Sequence, residues 1–203
     1  MSIPNEEKCK STIKPFEAIL ADIPRQALRA QQKNQLNRIS NNSRLKSNCI
    51  WGYMIHYLRK AFGQNPKFDF IDHYGTVSII IEGIDHRLLF RMKKSDRRGI
   101  SSNVQTKLSD AFHDHDKREI FLLPEYDPDR IEIVYILDKL GVKIEDVRVV
   151  ARYGKLLVWS YSIMPKAKVI KSPVTPSTQV TSGDRARVRM SADLPKERKK
   201  QGE

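Results

Sequence analysis

Cysteine is almost missing from this chain: Cys9 and Cys49 are the only two, and they stand far apart. So sparse a pair excludes a disulfide framework and predicts free thiols in a reducing cytoplasm. Long apolar runs are missing too. No stretch approaches the ~18–20 consecutive apolar residues of a membrane helix, so no membrane partner is expected. Residues 1–10 place Glu6 and Glu7 where a signal peptide carries a cationic and then an apolar stretch, which predicts no export by that route. A cytoplasmic protein is therefore expected. Glycine is scarce, at nine residues, and nowhere clusters into a phosphate cradle. No spacing of His, Cys, Asp and Glu reads as a metal site, and no cofactor is implied.

Acidic residues are scarce at both ends. Residues 66–163 hold 16 Lys/Arg against 16 Asp/Glu, whereas residues 1–65 hold 11 against 4 and residues 164–203 hold 10 against 4. The net charge of +13 thus sits on two flanks around a balanced middle. Cationic flanks attract phosphate-rich or acidic partners.

Periodicity supplies the elements. Ile13, Phe16, Ile19 and Leu20 share a helical face over residues 12–22, and Pro24 predicts a break before a second helix. Residues 25–39 are polar nearly all round, apart from Leu28, Leu36 and Ile39, which predicts a solvated or externally docked helix. After the capping run Ser40-Asn41-Asn42-Ser43, a helix is predicted to Phe62, its stripe built by Leu45, Ile50, Met54, Tyr57, Leu58, Ala61 and Phe62. Period-two alternation over 76–82 and 87–93 predicts a hairpin. Ser102 with Gln105 makes a capping box for a short helix that buries Val104, Leu108, Ala111 and Phe112. Three strands, 131–138, 146–153 and 155–163, close the order, the last two joined at Gly154. The expected fold is α+β: N-terminal helices packed on an antiparallel sheet of hairpin, helix and three-stranded meander. Residues 1–42 form a helical arm with a frayed polar start, 43–163 the core domain, and 164–203 a disordered basic tail without aromatics.

Three constellations carry candidate chemistry. The basic loop Lys93-Lys94-Ser95-Asp96-Arg97-Arg98 leads to Ser101 and Ser102 at a predicted helix start, where free N–H groups and guanidinium forks suit a phosphate. Its plain alternative is a solvated loop with Asp96 neutralising one arginine. His113-Asp114-His115-Asp116 offers imidazole and carboxylate ligands for zinc or manganese, but at most two converge from so short a run, and the plain alternative is a polar helix exit complementing the dipole; His113 and His115 are the candidates should the chain be catalytic. His73, His86, Asp72 and Asp85 are distant possible partners, but no spacing draws them in. A metal-dependent nuclease needs an acid two residues before a strand lysine. Asp69, Asp72 and Glu82 are present, yet Arg91-Met92-Lys93 lacks that acid. A metal-free ribonuclease could pair His86 or His113 with Arg91 or Arg97. Arg87, Arg91, Arg148 and Arg152 are expected on one outward sheet surface, with Glu132 and Asp138 as neighbours. Phe90, Trp51, Trp159 and Tyr161 read as core packing before base stacking.

Leu89–Arg97, Ser102–Thr106 and Val158-Trp159-Ser160-Tyr161 resemble a group of uncharacterised bacterial proteins encoded beside helix-turn-helix and zinc-peptidase (ImmA/IrrE-like) genes. That resemblance, over residues 86–163, implies a toxin–antitoxin or phage-defence setting and carries no catalytic residue. The expected function is a basic accessory protein that binds nucleic acid or an acidic protein through Lys93, Lys94, Arg97, Arg98, Ser101, Ser102 and its basic flanks. A small nuclease or toxin enzyme is the competing class, and a pure interaction adaptor is the third.

Overall fold

The computed structural model describes residues 3–35, 39, 42–73, 75–84, 86–101, 107–115 and 128–165. Asp85, Ser102, the capping box, Asp116 and the basic tail beyond residue 165 fall outside the described residues.

Six strands form one sheet in sequence order: β1 (Phe68–His73), β2 (Thr76–Glu82), β3 (Arg87–Ser95), β4 (Asp129–Leu137), β5 (Ile144–Tyr153) and β6 (Leu156–Ser162). Alternation sets its faces. Ile79 and Ile81, Phe90 and Met92, Ile131 and Ile133, and Val147 and Val149 all point into one apolar core. Helices α1 (Glu6–Ile13), α2 (Glu17–Lys33) and α3 (Ser43–Phe62) cover that face, adding Cys9, Ile13, Leu20, Ile23, Met54 and Leu58. The opposite face carries α4 (Lys107–His113), whose Phe112 packs on Ile80 and Leu89. The class is α+β, with the β2/β3 hairpin and the β4-β5-β6 run in place. One pair departs from the expected antiparallel sheet: β3 and β4 run parallel. A parallel return needs a crossover of about a dozen residues or more, and the chain between Ser95 and Asp129 is long enough to make it. β1 is a further strand, its Phe68 ring stacked on Phe62 at 4.1 Å.

The N-terminal helices differ most from expectation. Instead of fraying, residues 6–13 form α1: Asn5 accepts from the Lys8 N–H at 3.0 Å, and Glu6 and Glu7 complement the helix start. Pro24 does not break the chain but sits buried inside α2. An interior proline costs about 3 kcal/mol. Leu20, Ala21, Ile23, Ala27 and Leu28 offset this, since each large apolar side chain contributes about 1.5–3 kcal/mol on burial. The interruption falls earlier, in the 3₁₀ turn Lys14–Phe16 that contains Pro15. Residues 25–33 are likewise not solvated all round, because Ala27, Leu28 and Gln31 are buried. Small alanines are core positions where helices pack closely, and counting only large apolar residues overlooks them.

Two outcomes follow from these contacts. Asn42 caps α3, its side chain accepting from Arg44 and Leu45 N–H groups at 2.9 and 3.2 Å. Asn42→Ala should lower stability by about 1 kcal/mol, read as a reduced urea midpoint at unchanged slope. Burial, with Asp129 and Glu6 adding negative charge, pushes the Cys9 thiol up to about 12. In the folded protein only the half-buried Cys49 should react with a chromogenic disulfide reagent near pH ~8, and both thiols should react once urea unfolds the chain. Rapid reaction of two thiols in native buffer would contradict the placement of α1.

Candidate nucleic-acid interface

Because β3 and β4 run parallel, their carboxyl ends lie side by side. Sheets with parallel strands commonly hold ligands outside such ends. Each strand exits into a loop organised by an aspartate. Asp96 Oδ1 accepts from the N–H groups of Arg98 and Ile100 at 3.0 and 2.9 Å, and Asp138 Oδ1 accepts from Val142 and Lys143 at 2.8 and 3.3 Å. Slight burial works to raise the Asp96 pKa, but the Ile100 and Arg98 donors win and hold it below the usual carboxylate range. Between the loops lies a groove of about 680 Å³ lined by Lys94, Arg97, Arg98 and Lys139, with Asp96 and Asp138 at its turns. Arg97 Nη2 meets Glu145 Oε2 at 3.2 Å and Arg98 Nε meets Asp96 Oδ2 at 3.1 Å. Both pairs are solvent-exposed. Such pairs are worth about 0–1 kcal/mol, so either guanidinium can be drawn off by a phosphate.

The six residues read from sequence as one anion site separate. Lys94, Arg97 and Arg98 gather at the groove. Lys93, one residue along the strand from Lys94, takes the opposite face. Burial, then the Arg91 charge, lowers the Lys93 pKa there, with Glu132 opposing. The helix start expected after Ser101 lies outside the described residues. Ser101 bridges back to Ser95, and its Oγ accepts from Arg152 Nη1 at 3.0 Å. Gly99 allows that fold-back: its φ is +87°, and a Cβ there would lie 3.5 Å from Val150. Ser102 lies outside the described residues. Lys139 was not foreseen, although a lysine after an Asp-led strand exit is a readable signal.

Beneath α4 the sheet carries a second polar group of residues. His113 Nε2 lies 3.4 Å from Glu132 Oε1, and Arg152 Nη1 lies 3.6 Å from Glu132 Oε2. His115 Nε2 sits 2.8 Å from the Arg152 carbonyl oxygen, and the Gly154 N–H donates to the His113 carbonyl at 2.8 Å. Arg91 Nε donates to Ser78 Oγ at 2.9 Å, with its guanidinium 4.0 Å from the Phe112 ring centre. Burial alone would raise the Glu132 pKa. The His113 hydrogen bond and charge, then Arg152 and Ser101, hold it below the usual carboxylate range. A β-bulge at Ala151/Arg152 re-aims the strand at this point. The structure thus brings the catalytic candidates His113 and His115 to Glu132, Arg152 and Ser101. None of His113, His115, Glu132 and Arg152 is more than 8 % exposed. An acid–base group must reach its substrate, and this one faces the protein interior.

The expected basic sheet surface is therefore covered or paired. Arg91 and Arg152 are buried, while Arg87 meets Glu82 and Arg148 meets Asp146, each at 2.6 Å. Asp138, expected beside these arginines, instead closes its own turn by accepting from Val142 and Lys143. His86 Nε2 lies 3.1 Å from Thr12 Oγ1, and Asp72 pairs with Arg59. Among the described residues, no three His, Cys, Asp or Glu side chains group as metal ligands.

A further basic strip adjoins the groove. Arg25, Arg29 and Lys33 recur every four residues on α2, hence on one side of it. None of the three makes an ion pair among the described residues. Gln32, beside Lys33, donates through Nε2 to the Val142 carbonyl at 2.7 Å, tying the end of α2 to the turn that carries Lys139.

No family model, no curated protein and no solved structure matches the chain. Geometry and chemistry carry the functional reading.

Proposed function

We propose that this is a basic cytosolic accessory protein that binds nucleic acid through the groove at the carboxyl ends of β3 and β4. One observation carries the reading: Lys94, Arg97, Arg98 and Lys139 converge there, while the two aspartates between them already accept from backbone N–H groups. The cationic flanks and the Arg25-Arg29-Lys33 strip would extend the attraction. The bacterial resemblance suggests a place in a defence or toxin–antitoxin module.

The test is fluorescence anisotropy of a labelled single-stranded oligonucleotide across a salt series. Release of counterions from four contacts gives a slope of log affinity against log salt near about −3. Retention of an acidic protein from the native host, with no oligonucleotide retention at low salt, would replace this reading with an adaptor. Cleavage of the oligonucleotide that disappears in His113→Ala would replace it with a nuclease built on His113 and Arg152.

A further inference from the structure

We propose that the cavity beside the groove receives the aromatic base of a nucleotide whose phosphate lies among Lys94, Arg97 and Arg98. This rests on the groove reading and narrows it, from any polyanion to a chain or nucleotide that offers an unpaired base.

The cavity, about 490 Å³, lies between α3 and the ends of β3 and β4, and its lining includes Asn48, Trp51, Gly52, Met92, Lys94 and Tyr135. Its size falls within the ~300–1,000 Å³ of small-ligand sites. Lys94 lines both this cavity and the groove, so a ligand seated in one extends into the other past a single ammonium. The walls join Ser47, Lys93 and Lys94 to apolar groups, a mixture that suits more than a phosphate alone. Trp51 is half-buried and offers its indole to a planar ring, while Met92 and Tyr135, each 1 % exposed, form the apolar floor behind it. Exposed Asn48 adds an amide with both donor and acceptor, the pattern that reads base edges.

Gly52 is the independent sign. It sits in the middle of α3, where glycine costs about 1 kcal/mol relative to alanine. Close packing does not explain it, because a Cβ there would meet nothing within 4 Å. Gly52 is exposed and lines the cavity, so the space beside Trp51 is open to an incoming ring. In a duplex the base faces are stacked away, so the cavity suits single strands, strand ends or free nucleotides.

The full chain is titrated, at one low salt concentration, with a labelled oligothymidylate, an abasic chain of equal length and inorganic polyphosphate. Stacking of one base predicts that the oligothymidylate binds about 5- to 150-fold tighter than the abasic chain. That preference should vanish in Trp51→Ala. It should vanish equally in Gly52→Leu, which fills the cavity while favouring the helix. Thymidine monophosphate quenching Trp51 fluorescence, with the signal assigned by Trp51→Phe, would support a free nucleotide as source. Preference seen only with the oligomer would support a strand. Equal binding of the base-bearing and abasic chains overturns the base site and leaves the groove standing. Failure of all three polyanions overturns the groove, and this inference with it.

Discussion

Glu132→Ala should lower the free energy of unfolding by about 3–5 kcal/mol, the range found when one partner is removed from a buried ion pair. Glu132 lies 3 % exposed between His113 and Arg152, and among the described residues Arg152 Nε and Glu132 Oε2 have no hydrogen-bond partner. Deleting the carboxylate leaves the Arg152 guanidinium enclosed with Ser101, the Gly154 carbonyl and the His113 ring as its remaining partners. Urea unfolding of the variant and the parent measures the difference. A loss below about 1 kcal/mol, the level of an exposed pair, would show that this face is wet.

The same carboxylate sets a pH dependence with a definite sign. Its folded pKa lies below its unfolded value, so its contribution is fully present above the unfolded pKa, near about 4.3 for glutamate. That contribution is lost as pH falls through the folded pKa. Glu132→Gln should therefore be less stable than the parent at neutral pH, with the gap closing in acid. A gap that widened in acid would mean that Glu132 is protonated in the native protein.

Neutralising the groove should have the largest effect on binding. In Lys94→Ala/Arg97→Ala/Arg98→Ala/Lys139→Ala, each lost contact removes about 0.7 from the salt slope, and low-salt affinity should drop on the order of 100-fold. Lys67→Ala/Lys155→Ala, at the opposite end of the sheet, provides the comparison and should change affinity little. Folding should be nearly indifferent to the groove changes, because Arg97 and Arg98 hold only exposed pairs. If all four substitutions left the slope unchanged, the basic flanks would be the contact and the groove would not.

Strand placement was legible because alternation is local. The pattern Ile131, Ile133, Tyr135 declares an inward face whatever its partner strand. Strand direction is not local: the helix predicted ahead of Phe112 permits a crossover between β3 and β4, but a helix in a connection does not by itself fix a parallel pairing. α1 escaped notice because only Cys9 and Ile13 anchor it, too few for a visible stripe. Arg97 and Arg98 were legible as candidates for an anion contact because charge is read directly from sequence. Lys139 needed the β3/β4 pairing to bring it alongside. Glu132 was expected beside the arginines that include Arg152, but only the fold-back over Val150 and the seating of α4 bring Ser101 and His113 to that pair as one buried group. Trp51 read as core packing, and the base contact proposed for it depends on a cavity that helical spacing does not express.

Lysine acetylation footprinting, read by mass spectrometry with and without a saturating single-stranded oligonucleotide at low salt, tests the groove most directly. A groove interface predicts strong protection of Lys94 and Lys139, with exposed Lys67 and Lys155 labelled as in the free protein. Unchanged labelling of Lys94 and Lys139 under conditions where the oligonucleotide is demonstrably bound would contradict it.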